Sequence, residues 1–127
     1  MTRRYLLLVC TAALLAACGE APPPVPEPAI TYNRYTATVS EDAEGFTAKL
    51  FVLSVRASQP LSVTLSARCQ FAGTPVDLSS QEELTPEFRR VTLESASLSE
   101  RPSLEPVPIC TLSAVDEAGA AIAVRDR

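Results

Sequence analysis

Hydrophobic and polar residues alternate most regularly between Leu61 and Phe71. Over these eleven positions every odd-numbered residue is apolar and every even-numbered residue is polar. Because successive side chains of a β-strand point to opposite faces, this pattern predicts a strand with one buried face. Cys69 lies on the apolar side of the pattern, so we expect its thiol to face the core.

Several other segments also have the composition of strands. The preceding segment, 46–57 ("FTAKLFVLSVRA"), is apolar on both faces and rich in β-branched and aromatic residues, which predicts a central strand. Ser58-Gln59-Pro60 separates it from the next strand as a turn. Further strands are predicted at 32–40, 74–78, 88–98, 109–115 and 120–124, with hairpin turns at 41–45 and 116–120. The capping-box spacing from Ser80 to Glu83 predicts one helical turn.

Six to eight short strands within about 100 residues predict a single antiparallel β-sandwich. The chain also resembles a known kind of module over most of residues 46–124. The segments "LFVLSVRASQPLSVTLSARC", "ELTPEFRRVTL" and "CTLSAVDEAGAAIAV" are similar to bacterial Ig-like and fibronectin-type-III-like domains, particularly the cell-adhesion-related kind. This resemblance implies an Ig-like β-sandwich over residues 29–127.

The sequence departs from the pattern of those modules at three points. Ala57-Ser58 stands where an Asn-x-Gly turn is usual, and Glu87 stands where glycine is typical. The chain has no tryptophan, so the buried tryptophan of antibody-type domains is absent. These departures affect the functional implications of the resemblance more than its implication for the fold.

The N-terminus has the features of an export signal. Arg3 and Arg4 precede an uncharged stretch, residues 5–17, which as a helix would span only about 20 Å of a bilayer core of roughly 30 Å. A positive start, a short apolar run and small residues at its end are typical of a secretory signal rather than a membrane span. The arginine pair also resembles a twin-arginine signal, although the strongly apolar run favours the general secretion route.

The end of this signal is more specific than an ordinary cleavage site. Leu15-Ala16-Ala17-Cys18 resembles the lipobox of bacterial lipoproteins. The resemblance implies cleavage before Cys18, a diacylglycerol on its thiol and an acylated amino group, and several acyl chains anchor a protein stably. The alternative is an ordinary secretory signal with a chance cysteine. Because Gly19 is not aspartate, we expect the outer membrane as the destination in a cell with two membranes.

Proline dominates the segment that follows the lipobox. Five of the eight residues from Ala21 to Pro28 are proline, which favours a stiff polyproline II conformation. The expected organisation is therefore a signal peptide (1–17), a lipidated cysteine with a spacer (18–28) and one domain (29–127). Such a protein would be anchored in the cell envelope on the extracytoplasmic side.

The cysteine inventory then leaves one pair. Cys10 leaves with the signal and Cys18 carries the lipid, so Cys69 and Cys110 remain in an oxidising compartment. We expect them to form a disulfide. Two free core thiols are the alternative.

Charge and composition narrow the range of possible functions. After cleavage nine basic and fifteen acidic residues remain, a net charge of 9 − 15 = −6. This balance argues against nucleic acid as a partner and against electrostatic attraction to anionic lipids. The chain has no histidine, which excludes Ser-His and Cys-His nucleophiles and imidazole-bound metals. We therefore expect that the protein is not an enzyme and that it binds no cofactor. Acidic turns could supply some calcium ligands, although solvated carboxylates are the simpler interpretation.

The segment from Ser99 to Cys110, "SERPSLEPVPIC", is the candidate partner-binding loop. Its proline density predicts a stiff extended segment that could add to a partner or fill a groove. The candidate contact residues are Arg101, Pro102, Leu104, Pro106 and Pro108. The alternative is a crossover loop whose prolines protect a sheet edge.

Together these features predict a non-catalytic, membrane-anchored envelope lipoprotein that binds another protein or a glycan as a scaffold or accessory module. The alternative function is a periplasmic inhibitor or chaperone of an envelope enzyme.

Overall fold

The computed structural model describes residues 27–127. The expected signal peptide, the lipidation site at Cys18 and the spacer as far as Pro26 lie outside the described residues. The strands are β1 (Ala29–Asp42), β2 (Gly45–Ala57), β3 (Leu61–Phe71), β4 (Thr74–Leu84), β5 (Arg89–Ser95), β6 (Ile109–Asp116) and β7 (Ala121–Asp126). Within residues 27–127 no helix has the length and apolar character needed to cross a membrane.

The seven strands form one closed barrel in the order β1-β2-β5-β4-β3-β6-β7. The prediction of an all-β fold is confirmed, but the prediction of an Ig-like antiparallel sandwich is wrong. The barrel closes because β7 pairs in parallel with the beginning of β1, residues 29–32 lying beside 123–126. A strand with one buried face has the same alternation in a sandwich and in a barrel, so the local pattern does not encode this closure.

The helical turn predicted at Ser80–Glu83 is also wrong. Both residues belong to β4, where Ser80 lies opposite Leu65 and Glu83 lies opposite Ser62 in a continuous ladder with β3. The hydroxyl of Ser80 donates to the carboxylate of Glu82 rather than capping a helix. Long-range strand pairing therefore overrides a local capping signal.

A shared kink explains why segment 46–57 is apolar on both faces. Arg34 in β1 adopts a left-handed backbone with φ of 53°. On β2 the register with β5 shifts between Val52 and Val55, and the buried positions change from even to odd numbers there. The two apolar sets of β2 thus face the same interior on either side of a kink, while Leu53 and Arg56 are exposed.

The interior is a single apolar core that includes the disulfide. The largest fully buried side chains include Phe71, Ile30, Leu50 and Leu65, and no polar or charged residue among 27–127 is buried. The predicted Cys69–Cys110 disulfide is confirmed, with an S–S distance of 1.99 Å. It joins directly opposite residues of β3 and β6.

Candidate functional site

The most distinctive surface is formed by arginines of β2 and of the C-terminal end of the chain at β7, on either side of β1. Thr31 of β1 lies opposite Arg56 of β2 on one side and opposite Arg125 of β7 on the other. Directly opposite residues share a face of the sheet, so these two arginines flank the same threonine. We define the arginine face as Arg56, Arg125 and Arg127 together with Phe88, all of which are exposed.

Phe88 lies at the centre of this face and contacts two of the arginines. The guanidinium carbon of Arg56 is 4.7 Å from the ring centroid, and that of Arg127 is 5.3 Å from it. Cations stacked on an aromatic ring are attracted by its quadrupole. Phe88 is 38% exposed, so the face has an accessible apolar ring in contact with positive charge.

The arginines of this face have no acidic partner among residues 27–127. The ion pairs of this part of the chain are Lys49–Glu94, Arg68–Asp77 and Arg89–Glu82. None of them includes a residue of the arginine face. The arginines of the face are therefore free of close ion pairs in this part of the chain, although the exposed carboxylates of Glu87 and Asp126 adjoin residues of the face in sequence.

Much of the negative charge lies elsewhere on the barrel. A groove of about 540 Å³ is lined by Glu82, Glu83, Asp116 and Glu117 together with outward residues of β3. In the described part of the chain no group of three or more His, Cys, Asp or Glu residues could hold a metal ion. The molecule thus has an acidic groove beside β3 and β4 and a basic face over β1, β2 and β7.

The proline-rich loop between β5 and β6 packs over one end of the barrel. The backbones of Phe46 and Leu98 exchange two hydrogen bonds, of 2.9 and 2.7 Å, which fix the start of the loop. Further along, Leu104 packs against the core. Of the candidate contact residues, Pro108 is buried, Pro102 and Leu104 are half-buried, and Arg101 and Pro106 are exposed. Seven of the ten residues from 99 to 108 are nevertheless exposed, and the role of the loop in binding stays a prediction.

The arginine face could not be found from motifs because its members are far apart in the chain. Arg56 and Arg125 come together only through strand register and barrel closure. The one sequence signal is that each lies at a polar position of a strand-like segment. Arg68 has the same kind of position but is paired with Asp77, so position alone does not identify the face.

The chain matches no known family model, and no curated protein matches it. Inference about its function therefore depends on the arginine face and on the motifs of the sequence.

Proposed function

We propose that this protein is a lipid-anchored, non-catalytic lipoprotein of the cell envelope whose barrel binds an acidic surface of another envelope protein. The observation that carries the proposal is the exposed arginine face, with Phe88 held between Arg56 and Arg127. The anchor is Cys18, on the outer membrane if the cell has two membranes. The lipobox-like motif and the proline-rich spacer support this part of the proposal.

The chemistry of the face favours a protein partner. Arginine and aromatic residues are enriched among the residues that contribute most to protein–protein binding. The planar guanidinium binds carboxylates through two parallel hydrogen bonds, which lysine cannot do. Stacking on Phe88 holds two guanidinium groups in place before binding, so less side-chain entropy is lost when the partner arrives.

The alternative is a periplasmic inhibitor or chaperone of an envelope enzyme that acts through an acidic face or through the loop from Ser99 to Cys110. In that loop Pro108 is buried and Leu104 packs against the core. The exposed residues of the loop are Ser99, Glu100, Arg101, Ser103, Glu105, Pro106 and Val107. A groove of about 560 Å³ does lie between this loop and the β3–β4 hairpin, lined by Phe71, Arg101 and Pro102 among others. The experiment on partner binding therefore includes the loop as its control.

Crosslinking in intact cells followed by affinity recovery and mass spectrometry tests the binding surface. We expect wild-type chain to recover one envelope protein reproducibly, and Arg56→Glu with Arg125→Glu to lose it. Arg101→Glu makes the same kind of substitution once, at an exposed loop residue, and serves as the control. Loss of the partner with Arg101→Glu but not with the double variant would favour the loop. Recovery of an anionic glycan and no protein would contradict the proposal of a protein partner.

Acyl labelling tests the anchor separately. We expect radiolabelled palmitate to be incorporated into the wild-type chain and into Cys10→Ser, but not into Cys18→Ser. Cys10→Ser is the matched control because it removes a cysteine within the expected signal. Labelling of Cys18→Ser, or no labelling of the wild type, would contradict the proposed lipidation.

A further inference from the structure

The second edge of β1 is largely unpaired. On one side β1 pairs with β2 from Ile30 to Asp42, with Arg34 alone left out. On the other side it pairs with β7 only over residues 29–32. Residues 33–42 therefore have no strand on that side in the part of the chain that the structure describes.

The burial of cross-strand pairs reflects this open edge. Leu50 and Val52 of β2 are 0% exposed, since β2 has a neighbour on each side. Their partners across the ladder, Ala37 and Tyr35 of β1, face the same core but are only half-buried. The inner face of β1 is thus left partly uncovered where its second neighbour is missing.

In the described part of the chain one hydrogen bond joins β1 to β6. The hydroxyl of Tyr35 accepts a hydrogen bond from the backbone N–H of Cys110 at 3.2 Å. β6 pairs with β7 only at Ala114 and Val115. At the level of Tyr35 and Cys110, β1 and β6 are therefore joined by a side-chain hydrogen bond and not by backbone pairing.

Apart from the kink at Arg34, the edge lacks the usual protection against pairing. Exposed edges are generally protected by proline, lysine or inward-pointing charge. Residues 33–42, "NRYTATVSED", contain neither proline nor lysine. Their charges lie at the two ends, with Arg34 near the start and Glu41 and Asp42 at the finish.

We propose that this edge pairs with the same edge of a second copy of the chain, in antiparallel orientation, with Thr38 on the two-fold axis. This register places Arg34 of each copy opposite Asp42 of the other. In an antiparallel pair of two copies, the basic start of one edge lies beside the acidic end of the other. This charge complementarity is the reason for proposing a second copy of the chain as the partner of the edge. Arg34 has no acidic partner among residues 27–127, so it is available for the contact.

The same register also pairs the side chains nearest the axis favourably, and it places Tyr35 opposite Glu41 of the second copy. Thr36 lies opposite Ser40 of the second copy, and the two Thr38 side chains lie opposite each other, so the outer row consists of hydroxyl pairs. Threonine–serine and threonine–threonine pairs stabilise antiparallel ladders. On the inner row Ala37 lies opposite Val39 of the second copy, which covers residues that are half-buried in the single barrel.

Cysteine crosslinking of the purified full-length chain tests this register. Thr38→Cys is expected to form a disulfide-linked dimer on mild oxidation, because the two residues lie opposite each other. Thr36→Cys alone is expected to crosslink weakly, whereas a mixture of Thr36→Cys and Ser40→Cys chains crosslinks efficiently. Thr111→Cys, an exposed threonine of β6, is the matched control and is expected to remain monomeric. Equal crosslinking of Thr38→Cys and Thr111→Cys would overturn the proposal.

Sedimentation of the full-length chain tests the charge pair. Arg34→Asp is expected to raise the dimer dissociation constant by about tenfold or more, since two attractive pairs become repulsive. Aspartate tolerates the left-handed backbone of position 34, so the barrel is expected to fold. Adding Asp42→Arg reverses both charges and is expected to restore the dimer. A monomer at all concentrations, or a dimer unaffected by Arg34→Asp, would contradict the proposal. Neither experiment changes Cys18 or the arginine face. A negative result for the dimer therefore leaves the proposed function untouched, and a negative result for the proposed function leaves the dimer untouched.

Discussion

The hydroxyl of Tyr35 accepts a hydrogen bond from the backbone N–H of Cys110, 3.2 Å away. Cys110 is bonded to Cys69 with a Cα–Cα distance of 4.0 Å, close to the spacing of a non-hydrogen-bonded antiparallel pair. In such a pair the N–H points away from the partner strand and needs another acceptor. Tyr35 supplies that acceptor and so connects β1 to the disulfide-linked pair of β6 and β3.

Tyr35→Phe is therefore expected to destabilise the barrel. The ring remains, but the part-buried N–H of Cys110 loses its acceptor, which costs about 1–2 kcal/mol. Urea unfolding followed by circular dichroism measures the change. Tyr32→Phe removes a hydroxyl from a tyrosine that also packs against the core and is the matched control. Equal effects of the two substitutions would contradict the role assigned to Tyr35.

Loss of the disulfide is expected to have a larger effect. The residues of the Cys69–Cys110 bridge are 41 apart in sequence, and closing such a loop stabilises the folded state by about 4 kcal/mol in the chain-entropy model. Cys69→Ala with Cys110→Ala is expected to lower the urea midpoint accordingly. The wild-type chain unfolded in reductant is expected to match the double variant. A midpoint unchanged in both would show that the bridge contributes little.

Gly45 is expected to be the glycine least tolerant of substitution. Its φ is +139°, and a Cβ there would run into the carbonyl of Leu98, where the loop joins β2. Gly45→Ala should destabilise the protein by about 1–3 kcal/mol, because the backbone conformation is strained for alanine and the loop must move. Gly73→Ala is the control, since its Cβ would meet nothing within 4 Å. The comparison of the two urea midpoints tests the attachment of the loop.

The Arg68–Asp77 pair predicts a local pH effect. Hydrogen bonds from the Arg68 guanidinium, at 2.8 and 3.2 Å, lower the pKa of the Asp77 carboxyl below its ordinary value. Because the folded-state pKa is lowered, the contribution to stability is present above the unfolded pKa and is lost as the pH falls through the folded one. NMR titration is expected to show this lowered pKa, and Arg68→Gln is expected to return it toward the ordinary value. An unchanged pKa in Arg68→Gln would contradict the assignment.

Features of the fold that depend on local alternation could be predicted from the sequence. The pattern at 61–71 predicted the bounds of β3, because the alternation of apolar and polar residues continues without interruption from the first residue to the last. The pattern at 46–57 was harder to interpret, since the change of phase between Val52 and Val55 looks like two apolar faces. Each side of the kink has a simple alternation with one apolar face. Joined in one segment, the two alternations look like a strand that is apolar on both faces, which is the pattern of a central strand.

Features that depend on long-range pairing could not be predicted. The contact of residues 29–32 with 123–126 turns an open sheet into a barrel, and neither segment carries a local signal for it. The same contact brings Arg125 to Arg56 across Thr31, so the arginine face depends on closure as well. The disulfide was predictable because elimination left only Cys69 and Cys110.

The arginine face is tested most directly by photocrosslinking at its centre in intact cells. A photoreactive phenylalanine analogue replaces Phe88 in one variant and Phe46, which lies beside the loop, in the control. We expect the analogue at position 88 to capture an acidic envelope protein, and the capture to be lost on adding Arg56→Glu. Position 46 is expected to capture nothing above background. Capture at position 46 but not at position 88, or no capture at either, would contradict the arginine face as the binding surface.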